Sequence, residues 1–536
     1  MIKGSLYEKS FLFFLFFLTV FVFFKNIGVN DIWIPNESFY AESAMEMVKS
    51  GNYLDVYYNY TPRFNKPPMT YWLVAASYKI FGISEFSARL PVVVLSFFSV
   101  VLTYLIARKI FCKRTSVFSA MVMVLSLQFI VNSRYASPEN VLTFFFTFTL
   151  YFFIKGYKER RFLFIFLSYF ALGLTVLTKG YPYILIIGGI VFLYICLENS
   201  FNLRKVLTDL RFLRLHIGIP LVLAVGFWWY LYMYFKFGRQ FLDVLMTETL
   251  KRAVSKKGGG LAPLFYFNVI LWGFLPYSLV AYFGLFNIKN HFKKLIFPFS
   301  WIVIMLGIFT LAKGKIPTYI IQMHPALSIL TGYFLANYEP ESGAWKRVYS
   351  LIFQIPALVF LLASCGVICF FKLPYYFYLL LGLVVPFCLL LKEIKLYPFI
   401  SALIFFFIFT VGLLPAVERF RPYDGIGRAV KRANIEKSVP LIVENYFWHN
   451  LPFYAERKVI RDVPFVEIIN QLNKGRILAL VKSNDVKKLG NVKILWKGKL
   501  YRRGSESRFA IFLKYVAKAI HGDFKGFEDR VLIYKE

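Results

Sequence analysis

Two glutamates stand at the start of predicted helices, where a carboxylate could act on a bound ligand. Glu37 follows Pro35 and Asn36, which are residue types that begin helices, and the next dozen positions favour a helix. Glu139 follows Pro138 and precedes an apolar run. The N-terminus of a helix carries partial positive charge, so both starts would direct that charge toward an anionic ligand. The alternative interpretation of Glu37 is a carboxylate satisfied by the helix dipole and by exposed amides.

Cations lie in the same segments as these carboxylates. Lys66 precedes the rigid Pro67-Pro68 turn, which would present its ammonium from a defined position. Its alternative role is a lysine that extends along the membrane interface. Arg134 could bind an anionic ligand or pair with Glu139. The predicted ligand-binding set is Asn36, Tyr40, Arg63, Lys66, Arg134, Lys179, Arg252, Lys313, Lys315 and Tyr319.

The composition places these residues in a membrane protein. Of the 536 residues, 58% are apolar and 20% are aromatic, whereas soluble proteins average about 45–50% apolar residues. The formal net charge is +34, and such basicity in a membrane protein points to anionic lipid or anionic substrate. Nucleic acid is disfavoured as a partner, because the sequence has no basic helix, zinc-ligand spacing or RNA-binding aromatic signature.

Apolar runs separate the charged segments, and each run long enough to cross a bilayer is a candidate transmembrane helix. A span needs roughly 17–25 mostly apolar residues, and about thirteen runs qualify. We therefore predict a membrane protein of the all-α class with about thirteen transmembrane helices. The candidate runs are residues 7–24, 90–107, 116–131, 141–154, 162–177, 181–197, 217–235, 264–286, 295–312, 318–336, 348–371, 373–391 and 396–417. The first is interpreted as a retained helix, because no small-residue cleavage site follows it.

Lysine and arginine in the short loops predict the orientation. With the amino terminus inside, the basic short loops become cytoplasmic, and the loop 28–89, the turn around Arg134 and Glu139, and the loop 236–263 become external. From about residue 418, charges and turn residues recur every few positions, which predicts a small α/β domain. We predict a transmembrane catalytic domain at 1–417 and an external, periplasmic α/β domain at 418–536, in a multi-pass protein of the inner (plasma) membrane.

Several short motifs, in order along the chain, resemble those of one family. Residues 33–42 (WIPNESFYAE) and 63–72 (RFNKPPMTYW) are similar to the first external loop of the aminoarabinose transferases. These enzymes are grouped with the protein mannosyltransferases among the C-type membrane glycosyltransferases, termed GT-C. Further matching stretches are SRYASPE at 133–139, LTKGYP at 177–182, FWWY at 227–230, GFLPY at 273–277, KGKIPTY at 313–319, HPAL at 324–327 and LPFY at 451–454. The ordered set covers most of the chain.

The resemblance implies a GT-C fold and transfer of a sugar from a polyprenyl-phosphate donor to an acceptor at the external membrane face. Breaking the bond between the anomeric carbon and phosphate makes the sugar positive and the departing phosphate negative. Cations are then expected around the phosphate, and a carboxylate near the sugar or the nucleophile. The matched motifs favour Lys66, Lys179 and Lys315 for the phosphate, and Glu37 and Glu139 as the catalytic carboxylates.

Three departures from the family pattern bear on the chemistry. Asn36 stands where relatives commonly carry aspartate, so the catalytic carboxylate falls to Glu37, or Asn36 only orients substrate. Asn65 and Lys257 stand where the aminoarabinose transferases carry a glutamate and a histidine that bind a metal ion. Their joint loss argues against that metal site, so we expect no cofactor and metal-independent activity.

The acceptor remains open at the level of sequence. A phosphate acceptor such as a lipid A-like anionic lipid needs little base catalysis, whereas a hydroxyl on protein or sugar would need Glu37 or Glu139 as base. The external basicity favours an anionic lipid, and protein O-glycosylation is the alternative. A lipid or sugar transporter would also have many spans, but its broken helices and repeat symmetry are not evident in the sequence.

Overall fold

The chain folds mainly into helices. The computed structural model describes residues 17, 20–248, 264–340, 343–382, 393–473, 475–502, 506 and 508–536. A helix satisfies its backbone polar groups internally, which a segment in lipid requires. The α-helices are α1 (Asn36–Ser50), α2 (Met69–Phe81), α3 (Glu85–Ile110), α4 (Lys113–Val124), α5 (Leu127–Ser133), α6 (Pro138–Glu159), α7 (Phe162–Lys179), α8 (Pro182–Glu198), α9 (Leu203–Leu213), α10 (Leu215–Met246), α11 (Phe265–Gly273), α12 (Ser278–Phe286), α13 (Phe292–Leu311), α14 (His324–Asn337), α15 (Gly343–Phe370), α16 (Tyr397–Phe407), α17 (Leu414–Glu418), α18 (Tyr423–Arg432), α19 (Leu451–Ala455), α20 (Phe465–Leu472) and α21 (Phe509–Ile520).

The most apolar helices are long enough to cross a membrane. Within the described residues, six helical segments are long and apolar enough to span a bilayer, and a seventh span results if α4 and α5, bent by 61°, count as one. The six are Glu85–Ile110, Phe162–Lys179, Leu215–Met246, Ile288–Leu311, Trp345–Phe370 and Ile394–Glu418. The larger count of about thirteen stays a prediction. Helix α8 is a shorter apolar helix, and the predicted spans 7–24 and 373–391 lie partly outside the described residues.

Small residues let the membrane helices approach each other closely, as membrane helix interfaces favour. A Cβ added to Gly173 on α7 would lie 2.6 Å from the Cβ of Val225 on α10. A Cβ added to Gly332 on α14 would lie 2.6 Å from the backbone nitrogen of Ser119 on α4. The close packing of α7 on α10 helps to position the C-terminal ends of both helices, where functional candidates lie.

The first long loop contains two helices joined by a short antiparallel hairpin. Helix α1 begins at Asn36, directly after Pro35, and ends at Ser50; the following residue, Gly51, has a left-handed φ of 74°. Strands β1 (Tyr57–Tyr58) and β2 (Thr61–Pro62) pair antiparallel, and α2 begins directly after Pro68. The predicted helix following Pro35 is therefore confirmed.

A five-stranded mixed sheet lies in the last hundred or so residues. Its strands are β3 (Leu441–Glu444), β4 (Val459–Val463), β5 (Ile477–Lys482), β6 (Lys493–Tyr501) and β7 (Phe527–Lys535). The spatial order is β4-β3-β5-β7-β6. Strand β3 runs parallel to β4 and β5, whereas β7 runs antiparallel to β5 and β6. The domain division at residue 418 and its external side stay predictions.

The first loop and the C-terminal segment are joined by a buried arginine. Arg421 is 1% exposed, and its guanidinium donates to the carbonyls of Asp31 at 2.9 Å and Ile32 at 3.1 Å. It also pairs with Glu506 at 2.8 Å and Glu418 at 3.0 Å. These contacts fix the loop that leads into α1.

Candidate functional site

A pair of stacked tyrosines forms the centre of the site. The rings of Tyr40 on α1 and Tyr71 on α2 stack with centroids 4.7 Å apart and planes 24° apart. Both tyrosines are buried. Nearby, the Arg63 guanidinium carbon lies 3.8 Å from the ring centroid of Phe39. The hairpin between α1 and α2 thus brings a cation and three aromatic rings together.

One lysine–glutamate pair lies beside this stack. The Lys66 ammonium lies 3.0 Å from Glu248 Oε2, and Asn65 Nδ2 donates to Glu248 Oε1 at 3.2 Å. The side chains of Lys66 and Glu248 are 23% and 11% exposed, so the pair is partly open to solvent. Glu248 lies just beyond α10, so this pair joins the first loop to the C-terminal end of that helix.

A second lysine–glutamate pair lies where α6 begins and α7 ends. The Lys179 ammonium lies 3.1 Å from Glu139 Oε1, with side chains 9% and 18% exposed. Lys179 also lies 5.7 Å from the centroid of Tyr319, and Gln322 Nε2 donates to the Glu139 carbonyl at 3.2 Å. Burial opposes ionisation of Glu139, but Lys179 and Ser137 outweigh it and hold the pKa of Glu139 below its ordinary value.

The carboxylates of both pairs act on Tyr40. Burial raises the pKa of Tyr40 well above its ordinary value, and the negative charges of Glu139 and Glu248 raise it further. Two cations, each held by a carboxylate, therefore lie close to one aromatic stack. Such a site can receive an anionic group, because a phosphate can replace a carboxylate as the partner of a lysine.

The structure corrects the interpretation of Glu37 as a carboxylate facing a substrate cavity. Glu37 is 0% exposed, and Arg89 donates to both its oxygens, from Nε at 2.7 Å and Nη2 at 2.8 Å. The backbone amides of Trp33 and Ala136 donate at 2.8 Å each. With four donors around it, Glu37 faces the protein interior, and its contacts join the start of α1 to α3 and to the turn before α6.

Two predicted phosphate ligands bind backbone carbonyls instead. Arg134 is buried, and its guanidinium donates to the carbonyls of Val22 at 3.0 Å and Phe23 at 3.1 Å. The expected alternative pairing of Arg134 with Glu139 is also wrong, because the partner of Glu139 is Lys179. Arg134 therefore holds the end of the first helical segment, 20–24, against the turn before α6.

Lys315 has a similar structural role. Its ammonium donates to the carbonyls of Thr310 at 2.7 Å and Ala312 at 2.8 Å, at the C-terminus of α13. Lys315 is 5% exposed. A lysine that donates to the last carbonyls of a helix stabilises its end, so this ammonium is engaged within the protein rather than presented to a ligand.

Comparisons with known proteins agree with the arrangement of these elements. Residues 65–229 match the sequence family described as dolichyl-phosphate-mannose-protein mannosyltransferase. An uncharacterized protein of Aquifex aeolicus (strain VF5) is 37% identical over 444 residues, which are 82% of this chain and 86% of the relative. The undecaprenyl phosphate-alpha-4-amino-4-deoxy-L-arabinose arabinosyl transferase of Wigglesworthia glossinidia brevipalpis is 25% identical over 316 residues, which are 57% of this chain and 55% of that enzyme.

A solved structure has the same fold over nearly the whole length. The crystal structure of ArnT from Cupriavidus metallidurans bound to undecaprenyl phosphate matches with a TM-score of 0.77 and 21% identity, over 98% of each chain. The chain therefore has the fold of that ArnT structure, and its sequence is similar to an aminoarabinose transferase and, over residues 65–229, to the protein mannosyltransferase family. Its apolar helices are those of a multi-pass membrane protein.

The remaining predicted site residues are placed as follows. Asn36 is exposed, one position before the buried Glu37, on the same helix as Tyr40. Lys313 is exposed. Arg252 lies outside the described residues, as do Lys256 and Lys257.

Sequence reasoning missed two charged residues of this region, Arg89 and Glu248. Arg89 is a single cation at the start of an apolar run, and a charge in that position requires a buried partner. Glu248 is an acidic residue in a long, mostly basic predicted loop. An acid among so many bases is the sequence signal that could have indicated a partner for Lys66.

Proposed function

We propose that the chain transfers a sugar from a polyprenyl-phosphate donor to an acceptor at the external membrane face, and that the acceptor is an anionic, lipid A-like lipid. The observation that supports this proposal is the two lysine–glutamate contacts whose carboxylates both act on Tyr40 of the Tyr40–Tyr71 stack. The ArnT structure with the same fold contains undecaprenyl phosphate, which is the type of donor carrier proposed here.

Lys66 and Lys179 are the proposed ligands of the donor phosphate. During transfer, the bond between the anomeric carbon and the phosphate oxygen breaks, and its electron pair leaves with the phosphate. The two ammonium groups would stabilise this growing negative charge, and a preorganised donor of this kind is worth about 10²–10³ in kcat. To bind the phosphate, each lysine exchanges its carboxylate partner for a phosphate oxygen.

Glu139 is the proposed carboxylate for the reacting sugar or the acceptor. It is partly exposed, at 18%, and it is ionised near neutral pH because its pKa is lowered. Release of Lys179 to the phosphate would leave the Glu139 carboxylate beside the positive anomeric carbon. With a hydroxyl acceptor, the same carboxylate would accept the proton as the acceptor oxygen bonds to the sugar.

Glu37 is the proposed positioning residue of this site. Its contacts with Arg89 and with the amide of Ala136 fix α1 relative to the turn that leads to Glu139. Tyr40 lies one helical turn after Glu37, so the same contacts also fix the tyrosine stack.

Activity without a divalent ion is part of the proposal. A metal ion would need Asn65 or its neighbours as ligands, yet Asn65 Nδ2 and Lys66 Nζ both donate to Glu248. Both oxygens of the Glu248 carboxylate therefore accept from an N–H group. An ammonium and an amide N–H in these positions do not fit a metal ion. Excess chelator should leave turnover unchanged, and a large loss that zinc or manganese restores would refute the proposal.

The external placement of the loop 28–89 and of residues 418–536 is likewise proposed. Direct contacts between the two segments support a common side of the membrane. Asn59 Nδ2 donates to the Val459 carbonyl at 2.9 Å, and Asn59 Oδ1 accepts from the Val459 amide at 2.7 Å. The Tyr454 hydroxyl donates to Glu85 Oε1 at 2.8 Å.

Transfer of radiolabel from a polyprenyl-phosphate sugar tests the function. The purified chain is incubated with labelled donor, envelope lipids and envelope proteins, and label is counted in each fraction. Label in the lipid fraction is expected. Label in the protein fraction would show that the acceptor is a protein and that the reaction is O-glycosylation. No transfer to any fraction would refute the function.

Three variants connect the assay to the site. Lys66→Ala and Lys179→Ala should each lower turnover by about 10²-fold. Lys49→Ala is the matched control, because Lys49 also pairs with a glutamate, Glu456, but on the surface, and it should retain turnover. Equal effects of all three changes would show that Lys66 and Lys179 have no specific role in the reaction.

A further inference from the structure

A cavity lies along a face of α2 that does not include Tyr71. Its volume is about 320 Å³, and it is lined by Tyr53, Leu54, Trp72, Ala76 and Lys79. Trp72, Ala76 and Lys79 recur at helical spacing on α2, so they share one face of that helix. Tyr53 and Leu54 form the opposite wall, from the segment between α1 and β1.

Hydrogen bonds hold both walls in place. The indole nitrogen of Trp72 donates to the Tyr53 carbonyl at 2.6 Å, and the indole nitrogen of Trp229 donates to the Leu54 carbonyl at 2.9 Å. Behind this wall, Asp55 is buried and pairs with Lys236 at 2.5 Å. The cavity is therefore formed by a fixed backbone segment and not by loose side chains.

The surroundings of the cavity are those of the membrane interface. The ring of Trp72 stacks on Trp228 of α10, with centroids 5.7 Å apart. Only 28% of the most apolar stretch of α10 is buried within the protein, so this span faces lipid over most of its surface. Tryptophan is enriched where membrane and water meet, and the exposed Ile80 and Phe81 extend the same apolar edge at the end of α2.

The charge of the cavity is positive. Lys79 is exposed at its mouth, and its ammonium lies 4.7 Å from the centroid of the Tyr53 ring. The five lining residues include no acid. The nearby Asp55 carboxylate is covered by Lys236, Asn52 and the Tyr232 hydroxyl, which donates at 3.1 Å. A negatively charged group would meet a cation here without meeting an exposed carboxylate.

From these observations we infer that the cavity binds one anionic bilayer phospholipid. The phosphate of its headgroup lies against Lys79, the glycerol region fills the space between Trp72 and Tyr53, and the acyl chains follow the exposed surface of α10. This lipid is distinct from the donor and acceptor of the proposed reaction, and its binding does not depend on that reaction.

Native mass spectrometry of the full-length protein, released from detergent with equimolar phosphatidylglycerol and phosphatidylcholine, tests the inference. One phosphatidylglycerol should be retained in preference to phosphatidylcholine. Lys79→Ala should lower its retention about fivefold, because a basic residue near an anionic lipid surface contributes about that factor in affinity. Arg239→Ala, which removes another exposed cation of α10, is the matched control and should change retention little.

A second variant tests the space instead of the charge. Ala76→Phe should fill the cavity and abolish retention of the lipid, whereas Ile80→Phe places the same ring one turn later, outside the lining, and should preserve it. Equal retention of both lipids by the wild-type protein would overturn the inference, as would unchanged retention in Lys79→Ala and Ala76→Phe. Displacement of phosphatidylglycerol by an equivalent of polyprenyl phosphate would also overturn it, by assigning the cavity to the donor.

Discussion

The buried pair of Glu37 and Arg89 offers a direct test of whether Glu37 positions the site or takes part in the chemistry. We predict that Glu37→Gln lowers stability strongly. The pair is 0% and 2% exposed, so solvent does not screen it. Removing one partner of a buried ion pair costs about 3–5 kcal/mol, because the other charge is left buried without compensation.

The size of the effect can be followed by thermal unfolding in detergent. A loss of 1 kcal/mol lowers Tm by about 2–4 °C in chains of 150–250 residues. A loss of about 3–5 kcal/mol should therefore lower the apparent Tm by roughly 5 °C or more, even if the larger size of this chain reduces the shift. Turnover measured below the new Tm should fall less than the fold-change expected for a lost catalytic group.

Glu42 provides the matched control on the same helix. It is also buried, but burial and the neighbouring Glu46 raise its pKa well above the ordinary value. These influences favour the neutral form of Glu42, which a glutamine resembles, and a glutamine can still accept from the Asn59 amide as the carboxyl does. Glu42→Gln should change Tm little. A Glu37→Gln protein with wild-type Tm and turnover reduced by orders of magnitude would refute the positioning role.

Three further predictions concern other parts of the chain. Burial, together with the negative charge of Glu418, raises the pKa of Asp31 from 3.8 to about 8. Between about pH 4 and pH 8 the folded state therefore holds a proton that the unfolded state has lost, so Tm should fall as pH rises through this range. Asp31→Asn should reduce this slope. In a cysteine-free background, Ser50→Cys and Ser438→Cys should both react with an impermeant thiol reagent added to intact cells, and labelling of only one would refute the common external side. Lys315→Ala should lower Tm because α13 loses its cap, whereas Lys313→Ala should leave Tm unchanged. If Lys315→Ala instead raised the KM for the donor at unchanged Tm, Lys315 would have the predicted phosphate-binding role.

The helix starts of the first loop could be read from the sequence because their signals are local. Pro35 precedes α1 and Pro68 precedes α2, and both helices begin at the following residue. Proline carries this information within its own backbone, since its ring fixes φ and removes a donor that the first helical turn does not need. Helix α6 begins at Pro138 itself, so this proline is the first residue of its helix.

Side-chain partners could not be predicted in this way. Asn36 and Glu37 are neighbours at the start of α1, yet Asn36 is exposed and Glu37 is buried against Arg89, 52 positions later. The helix start shows where the carboxylate lies along the chain, but the packing of α1 on α3 decides which of the two residues faces inward. Lys315 differs, because its partners lie only three to six positions earlier. A lysine directly after a predicted helix indicates a cap as readily as a phosphate ligand.

The pairing of Glu139 with Lys179 has a consequence for how the site selects its ligand. The chain has 63 basic and 29 acidic residues, so a lysine beside the site is more readily left unpaired than matched. Yet Lys66 and Lys179 both contact a carboxylate. An incoming group must break these contacts before it binds, and the cost is recovered only by a group that brings at least as much negative charge. We infer that a neutral sugar alone would leave both pairs closed, whereas a phosphate would open them. The carboxylates would then add selectivity for a phosphorylated donor to a site whose lysines alone would attract any anion.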